Sequence, residues 1–172
     1  MHTLWNDFSE PDSKMINVSI RFANVLDAEY ISRVHIRSWQ QTYANFIPES
    51  ILNNLSVSDR TQQWISLIEQ GVMVLVLELN KQIVGFSSVC PFRDEGNHNF
   101  SGEISAIYLD PKYWRNGFGT KLCLTALNEL SSIGYKEALL WVLSDNIQAR
   151  AFYEKLGFQA TRRFNSEVQQ RN

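Results

Sequence analysis

The segment 102–134 places the tightest constraint on the fold, because it joins a strand, a glycine-containing loop and a helix. Residues 102–109 (GEISAIYL) are predicted to form the strand, which Asp110-Pro111 closes. After Gly117 the apolar residues recur on one face of a helix, and they are Phe118, Leu122, Ala126, Leu130 and Ile133. A strand that passes directly into such a helix is typical of an α/β domain.

Two β-rich runs precede this segment, at residues 72–79 and 82–90. The tight polar pair Asn80-Lys81 between them predicts an antiparallel hairpin. After the helix, residues 138–143 (ALLWVL) are predicted to form a short buried strand that rejoins the sheet in parallel. The sheet is therefore expected to be mixed and mostly antiparallel.

The N-terminal part adds one strand and several helices. Residues 17–22 alternate like a half-buried strand, and helices are predicted after Asp27, from Pro48, and over residues 58–70. The predicted fold class is thus α/β, with a mixed sheet flanked by helices.

A last helix and strand are predicted near the C-terminus. Asp145 is the expected N-cap of a helix whose apolar side includes Phe152 and Tyr153, and Gly157 ends that helix. Phe158 is predicted to start the last strand.

Length and composition bound the organisation of the chain. At 172 residues it suits one domain, so residues 1–15 are predicted to be a flexible extension and residues 16–172 a single domain. A net charge of −2 provides no positive field for nucleic acid or an anionic membrane. Scattered cysteines and histidines argue against a metal site. Because neither a signal peptide nor an apolar run of bilayer length is seen, we expect a cytoplasmic protein.

Residues 114–120 (WRNGFGT) form a candidate phosphate-binding loop. Its two glycines permit a close approach, and the free N–H groups at the helix start attract an anion. Arg115 and Lys121 add positive charge. The alternative is a plain turn, because an isolated Gly-x-Gly is a weak signal.

Two other phosphate motifs do not fit this loop. Leu122 stands where a dinucleotide fingerprint needs a third glycine or alanine, and no βαβ unit surrounds the loop. The spacing and the Gly-Lys-Ser/Thr ending of a Walker loop are also missing. A nucleotide-binding domain is therefore disfavoured.

Two segments resemble signatures of the GNAT acetyltransferases. GEISAIYLDPKYWRNGFGTKL looks like that family's acetyl-coenzyme A segment, and SDNIQARAFYEKLGF resembles its later signature. More weakly, the pattern Trp39-x-x-x-Tyr43 followed by Ile47-Pro48 is similar to small-molecule members, including polyamine acetyltransferases. The resemblance covers roughly residues 17–160.

The resemblance implies acetyl-coenzyme A as co-substrate and assigns residues to it. The backbone at residues 107–109 would pair with the pantetheine arm, the backbone at residues 115–120 would hold the pyrophosphate, and Asn146 would bind the arm. The implied cofactor residues are Ile107, Tyr108, Leu109, Arg115, Asn116, Gly117, Phe118, Gly119, Thr120 and Asn146.

Two side chains are candidates for the chemistry of acetyl transfer to an amine. Glu103 is the candidate base, with bound water as the alternative, and its face is expected to include Ser105 and Ile107 unless a bulge changes the register. Tyr153 is the candidate acid, with plain core packing as the alternative. The N–H of Tyr108 or of its neighbour is expected to hold the oxyanion.

The sequence departs from the family pattern in two places. Trp114 stands where Gln or Arg is usual, and the chain after Phe158 has room for one strand where the family has two. If a partner chain completes the sheet, a homodimer follows.

The partner is expected to be a small-molecule or peptide amine. Trp39 and Tyr43 are candidate walls of its pocket, with packing of the first helices as the alternative. The leading hypothesis is an amine acetyltransferase, and the alternative is a coenzyme A-binding sensor module without transfer activity.

Overall fold

A computed structural model describes residues 16–93 and 100–160 of the chain. It contains one five-stranded sheet with the strands in sequence order: β1 (Val18–Phe22), β2 (Met73–Leu79), β3 (Gln82–Pro91), β4 (Ser101–Leu109) and β5 (Glu137–Leu139). Its helices are α1 (Ala28–Thr42), α2 (Glu49–Leu52), α3 (Val57–Glu69), α4 (Phe118–Ser132) and α5 (Ile147–Lys155). The first four strands are antiparallel and β5 runs parallel to β4, which confirms the predicted mixed α/β class.

The hairpin between β2 and β3 forms at the predicted pair. Asn80 and Lys81 both adopt left-handed backbone angles, with φ of 50° and 70°. Two such residues in a row match the right-handed twist of the flanking strands. The turn therefore sets the register in which Leu79 faces Gln82.

Both faces of the sheet are covered, and this explains the nearly continuous apolar run in β2. Leu75 and Leu77 pack in the core beneath α4, whereas Val74 and Val76 pack in a second core beneath α1 and α3. Strands buried on both faces lose the polar alternation of half-exposed strands.

The sheet opens between β4 and β5. β5 pairs only with Ser101, Gly102 and Glu103, so the rest of β4 as far as Leu109 has no neighbouring strand on that side within the described residues. The prediction of a strand over residues 138–143 was therefore too long. Trp141 lies beyond the pairing and is 52% exposed, because apolar composition alone does not supply a partner strand.

The C-terminal part also differs from the prediction. Asn146, not Asp145, is the N-cap of α5, and its Oδ1 accepts from the Ala149 N–H. Residues 158–160 lie outside any helix or strand. The predicted extension 1–15, and the remainder of the predicted last strand, lie outside the described residues.

Residues 16–93 and 100–160 also bear on two other functions. No helix in these ranges is long and apolar enough to cross a membrane. The same ranges contain no group of histidine, cysteine and acidic side chains arranged to hold a metal ion.

Candidate active site

The open edge of β4 presents backbone groups from alternate residues. Asp110 N–H donates to the Val84 carbonyl at 2.8 Å, so these residues form a hydrogen-bonded pair of the antiparallel ladder. Because such pairs alternate along the strand, Tyr108 also directs its N–H and C=O toward β3. Ile107 and Leu109 then direct theirs toward the open edge, which leaves Leu109 or Ile107, the neighbours of Tyr108, as the free N–H donors.

A β-bulge changes the face on which Glu103 lies. Ser88 pairs with Ala106 but Val89 pairs with Ile104, so Ser105 is the extra residue of β4. Glu103 therefore shares its face with Ala106 and Tyr108, on the side of α1 and α3. The expectation that it shares a face with Ser105 and Ile107 holds only for an unbulged strand and is wrong here.

Glu103 is buried and ion-paired. Its side chain is 2% exposed, and its two carboxylate oxygens accept from Arg93 Nε at 3.2 Å and Arg93 Nη2 at 2.5 Å. This hydrogen bond raises the pKa of the Arg93 guanidinium. Glu103 is therefore not a carboxylate lying free in water.

The loop before α4 is shaped to expose backbone N–H groups. Arg115 and Gly117 both adopt left-handed backbone angles, with φ of 64° and 77°. Gly117 is the N-cap of α4 and provides no side-chain acceptor, so the N–H groups of the first helical turn have no intrahelical partner. With the positive end of the helix dipole behind them, these groups suit an anion.

Trp114 ties this loop to the end of β4. Its indole Nε1–H donates to the Leu109 carbonyl oxygen at 2.7 Å, and its ring packs against the core beneath α4. The indole therefore has a structural role at the position where the family usually has Gln or Arg. Sequence reasoning missed this contact, because nothing in the local pattern indicates a side chain reaching back five residues.

A second tie joins the same strand end to α1. The Asp110 side chain accepts from Arg37 Nη1 at 2.8 Å and from the Lys112 N–H at 3.1 Å. Asp110 is 8% exposed, so its charge lies near the protein interior. The loop is thus anchored to both the sheet and the first helix, through a pair separated by 73 residues that the sequence did not reveal.

Tyr153 lies on α5 and packs edge-on against Phe158, with ring centroids 5.7 Å apart. Burial raises the pKa of the Tyr153 phenol above its ordinary value, and the Cys123 thiol and the Tyr43 phenol raise it further. Burial likewise raises the pKa of Cys123 to about 11. Both groups therefore carry their protons at neutral pH.

An aromatic cluster lies on the α1 side of the sheet. It consists of the rings of His35, Trp39, Tyr43, Trp64, Phe86 and Tyr108. Trp39 meets Tyr43 edge-on at 5.1 Å, and His35 stacks on Tyr108 at 4.6 Å. His35 and the Tyr108 side chain were not predicted as parts of the site, although the i, i+4 spacing from His35 to Trp39 placed both on one helix face.

The phenols connect this cluster to α5. Burial raises the pKa of Tyr108 above its ordinary value, Tyr43 and Tyr153 add to the rise, and the nearby Trp39 indole opposes it. Tyr43 acts on Tyr153 in the same way. Among the predicted residues, Tyr43 is therefore in ring contact with Trp39 and within electrostatic reach of Tyr153.

Comparisons with known proteins agree with this arrangement. The sequence model of the acetyltransferase (GNAT) family matches residues 35–158. The chain is 31% identical over 151 residues to the uncharacterized N-acetyltransferase YuaI of Bacillus subtilis, a match that covers 88% of this chain and 86% of that protein.

Solved structures share the fold. The PaiA N-acetyltransferase of Thermoplasma acidophilum, in complex with coenzyme A, superposes with a TM-score of 0.75 and 23% identity over 87% of this chain and 94% of that one. An aminoglycoside N-acetyltransferase, AAC(6')-Iy, also in complex with coenzyme A, gives a TM-score of 0.73 at 13% identity over 92% and 98% of the two chains.

The family match spans the whole candidate site, from α1 through β4, the loop and α4 to the end of α5. The chain therefore belongs to the acetyltransferase (GNAT) family and is an N-acetyltransferase with acetyl-coenzyme A as its co-substrate.

Proposed function

We propose that this chain transfers the acetyl group of acetyl-coenzyme A to a primary amine of a small molecule or peptide, by direct attack in a ternary complex. The observation that carries the proposal is the open edge of β4 beside the uncapped start of α4. Aromatic rings that include Phe86 and Tyr108 lie on the α1 side of the sheet, and α5 packs against the core beneath α4 through Phe152 and Leu156.

The open edge of β4 and the loop before α4 bind different parts of acetyl-coenzyme A. Ile107 and the Leu109 N–H are the groups that can pair with an extended arm, because Trp114 already occupies the Leu109 carbonyl. Tyr108 lies between these two residues, and its pairing with β3 holds them at the open edge. The N–H groups at residues 115–120 receive the pyrophosphate.

Asn146 serves two purposes in this proposal. Its Oδ1 caps α5, while its Nδ2 has no partner within the described residues and can donate to the arm. Tyr153 lies about two helical turns further along α5 and would then stand near the sulfur.

The chain's residues supply the proton transfers that amide formation requires. The amine nitrogen forms a bond to the acetyl carbon, the carbon–sulfur bond breaks, and the sulfur leaves with its electron pair. Tyr153 gives its proton to that sulfur, because its raised pKa keeps the phenol protonated. The N–H of Leu109 or Ile107 stabilises the oxyanion that forms in between.

Glu103 receives the proton of the amine in this scheme. Both of its oxygens accept from Arg93 and its side chain is 2% exposed, so direct contact with the amine is blocked. We therefore propose that the proton reaches Glu103 through bound water.

Replacing Trp114 tests the strand-end tie. Trp114→Phe keeps an aromatic ring but leaves the Leu109 carbonyl without its donor, so we expect a loss of about 1–2 kcal/mol in the free energy of unfolding. We also expect KM for acetyl-coenzyme A to rise severalfold with kcat nearly unchanged. Trp141→Phe, at a 52% exposed position, is the control. An unchanged KM in Trp114→Phe would show that the hydrogen bond from Trp114 to Leu109 does not support acetyl-coenzyme A binding.

The experiment that tests the function as a whole is thiol release from acetyl-coenzyme A with polyamines, amino sugars, amino acids and short peptides. Turnover with one class supports the proposal. Binding of acetyl-coenzyme A without turnover on any acceptor would instead favour the sensor module.

The two glycines that flank α4, Gly117 and Gly134, provide a matched test of the loop. Gly117 and Gly134 both adopt left-handed angles, with φ of 77° and 104°, and a Cβ at either would meet nothing within 4 Å. Replacement of either by alanine costs about 1 kcal/mol of strain. We expect only Gly117→Ala to weaken acetyl-coenzyme A binding, by about tenfold. Equal affinities in the two variants would contradict a pyrophosphate site at this loop.

A further inference from the structure

The protonation of His35 can be deduced from its neighbour. Trp64 Nε1–H donates to His35 Nδ1 at 3.3 Å, and an indole nitrogen can only donate, so Nδ1 carries no proton. Burial and, to a smaller extent, the charge of Arg60 lower the pKa of His35 to about 3, so the ring is neutral. The single ring proton therefore lies on Nε2. His35 is 7% exposed, and this Nε2–H is buried with no acceptor within the described residues.

Trp39 presents a second buried N–H near His35. Its ring centroid lies 5.5 Å from that of His35, and its Nε1–H is buried. This N–H has the Tyr108 hydroxyl as an available acceptor, since hydrogen bonding from the indole lowers the pKa of that phenol. Buried N–H groups without partners are rare, so it is the His35 Nε2–H that calls for an acceptor.

Arg60 adds a full positive charge beside these donors. The carbon of its guanidinium lies 5.8 Å from the Trp39 ring centroid, and Nη1 donates to Gln63 Oε1 at 2.9 Å. No carboxylate of the described residues forms an ion pair with Arg60, although its charge reaches His35. Arg60 is thus a half-buried cation without a counter-charge in this part of the chain.

The carboxylates that border the aromatic cluster are already neutralised. Glu103 is paired with Arg93, and Asp110 is paired with Arg37. A second ammonium group on the acceptor would therefore meet positive charge and N–H donors here.

We infer that the acceptor carries a carboxylate beside its amine, as an amino acid does, and that Arg60 recognises this carboxylate. The inference rests on the proposed function, since it concerns the acceptor of the same transfer. Arg60 has no ion-pair partner among the described residues, and the buried His35 Nε2–H near Trp39 has no acceptor there, so an anionic group suits this place. Guanidinium is the side chain that binds carboxylates best. A polyamine offers only further positive charges and donors, despite the likeness of the N-terminal half to polyamine acetyltransferases.

Amines that differ only by a carboxylate give the sharpest test. We would compare lysine with cadaverine, phenylalanine with phenethylamine, and tyrosine with tyramine, and measure kcat/KM for thiol release at fixed acetyl-coenzyme A. We expect the amino acid to be favoured at least tenfold in the pair that contains the best acceptor. Arg60→Gln should reduce that preference about tenfold, because it removes the charge and keeps a hydrogen-bonding side chain.

The control variant is Arg33→Gln, which removes an arginine that pairs with Glu29 on the exposed face of α1, and it should keep the wild-type preference. Equal rates within each pair, or a polyamine as the best acceptor, would overturn the inference. A preference that survives in Arg60→Gln would overturn the role of Arg60. A phosphorylated amino sugar that outcompetes every amino acid would show a different anion to be recognised. Bound acetyl-coenzyme A with no turnover on any amine would overturn the proposed function itself, and this result differs from all the others.

Discussion

Tyr153→Phe is expected to lower kcat by about 100-fold, the lower end of the usual contribution of a general acid. The variant removes one hydroxyl and keeps the ring that packs against Phe158 at 5.7 Å, so the fold and KM for acetyl-coenzyme A should change little. Steady-state kinetics of thiol release and a thermal unfolding curve measure both. Tyr135→Phe is the control, because Tyr135 is a half-buried phenol that packs against the core beneath α4 and lies against Gly102.

The wild-type pH profile adds an independent check on Tyr153. An ordinary phenol loses its proton near pH 10. Because the pKa of Tyr153 is raised, its protonated form persists to higher pH, and no loss of kcat from this group is expected between about pH 8 and pH 10. A kcat that falls in this range, together with a Tyr153→Phe variant within threefold of wild type, would return Tyr153 to the role of a core residue.

Short sequence patterns correctly predicted the parts of the fold that depend on residues adjacent in the chain. The Asn80-Lys81 hairpin, the loop into α4 and the end of α5 at Gly157 each follow from the backbone preferences of a few consecutive residues. These features placed the end of β4 and the loop before α4.

Contacts between distant segments could not be predicted in the same way. The bulge at Ser105 reverses the face of the residues on either side of it, and nothing in the sequence of β4 marks the extra residue. The Arg37–Asp110 pair joins two elements that only the finished fold brings together. β5 stops at Leu139 although the apolar run continues, because pairing and not composition sets where a strand ends.

The contacts of Glu103 could not be predicted from nearby residues either. Its position in β4 was predicted, but its burial and its ion pair with Arg93 were not, since Arg93 lies ten residues away beyond the end of β3. The pair changes how Glu103 can act, because a carboxylate held at both oxygens can take a proton from the amine only through an intervening group.

Glu103→Gln is expected to lower kcat/KM by about 100-fold near pH 7, because an amide cannot accept the proton of the amine. The side chain keeps its size, and its Oε1 can still accept from Arg93. Arg93 is 60% exposed and can turn to water, so the lost charge should cost no more than about 1 kcal/mol of stability.

The pH dependence separates a base from a structural carboxylate at Glu103. An alkyl amine has a pKa of about 10, so the acceptor becomes increasingly deprotonated as the pH rises. If Glu103 is the base, the deficit of Glu103→Gln should shrink about tenfold per pH unit until the amine is neutral. Glu137→Gln, on the adjacent strand where Glu137 accepts from Ser101 Oγ, should match wild type at every pH. A deficit that stays constant with pH would assign Glu103 to the support of β4, and bound water alone would then carry the proton away from the amine.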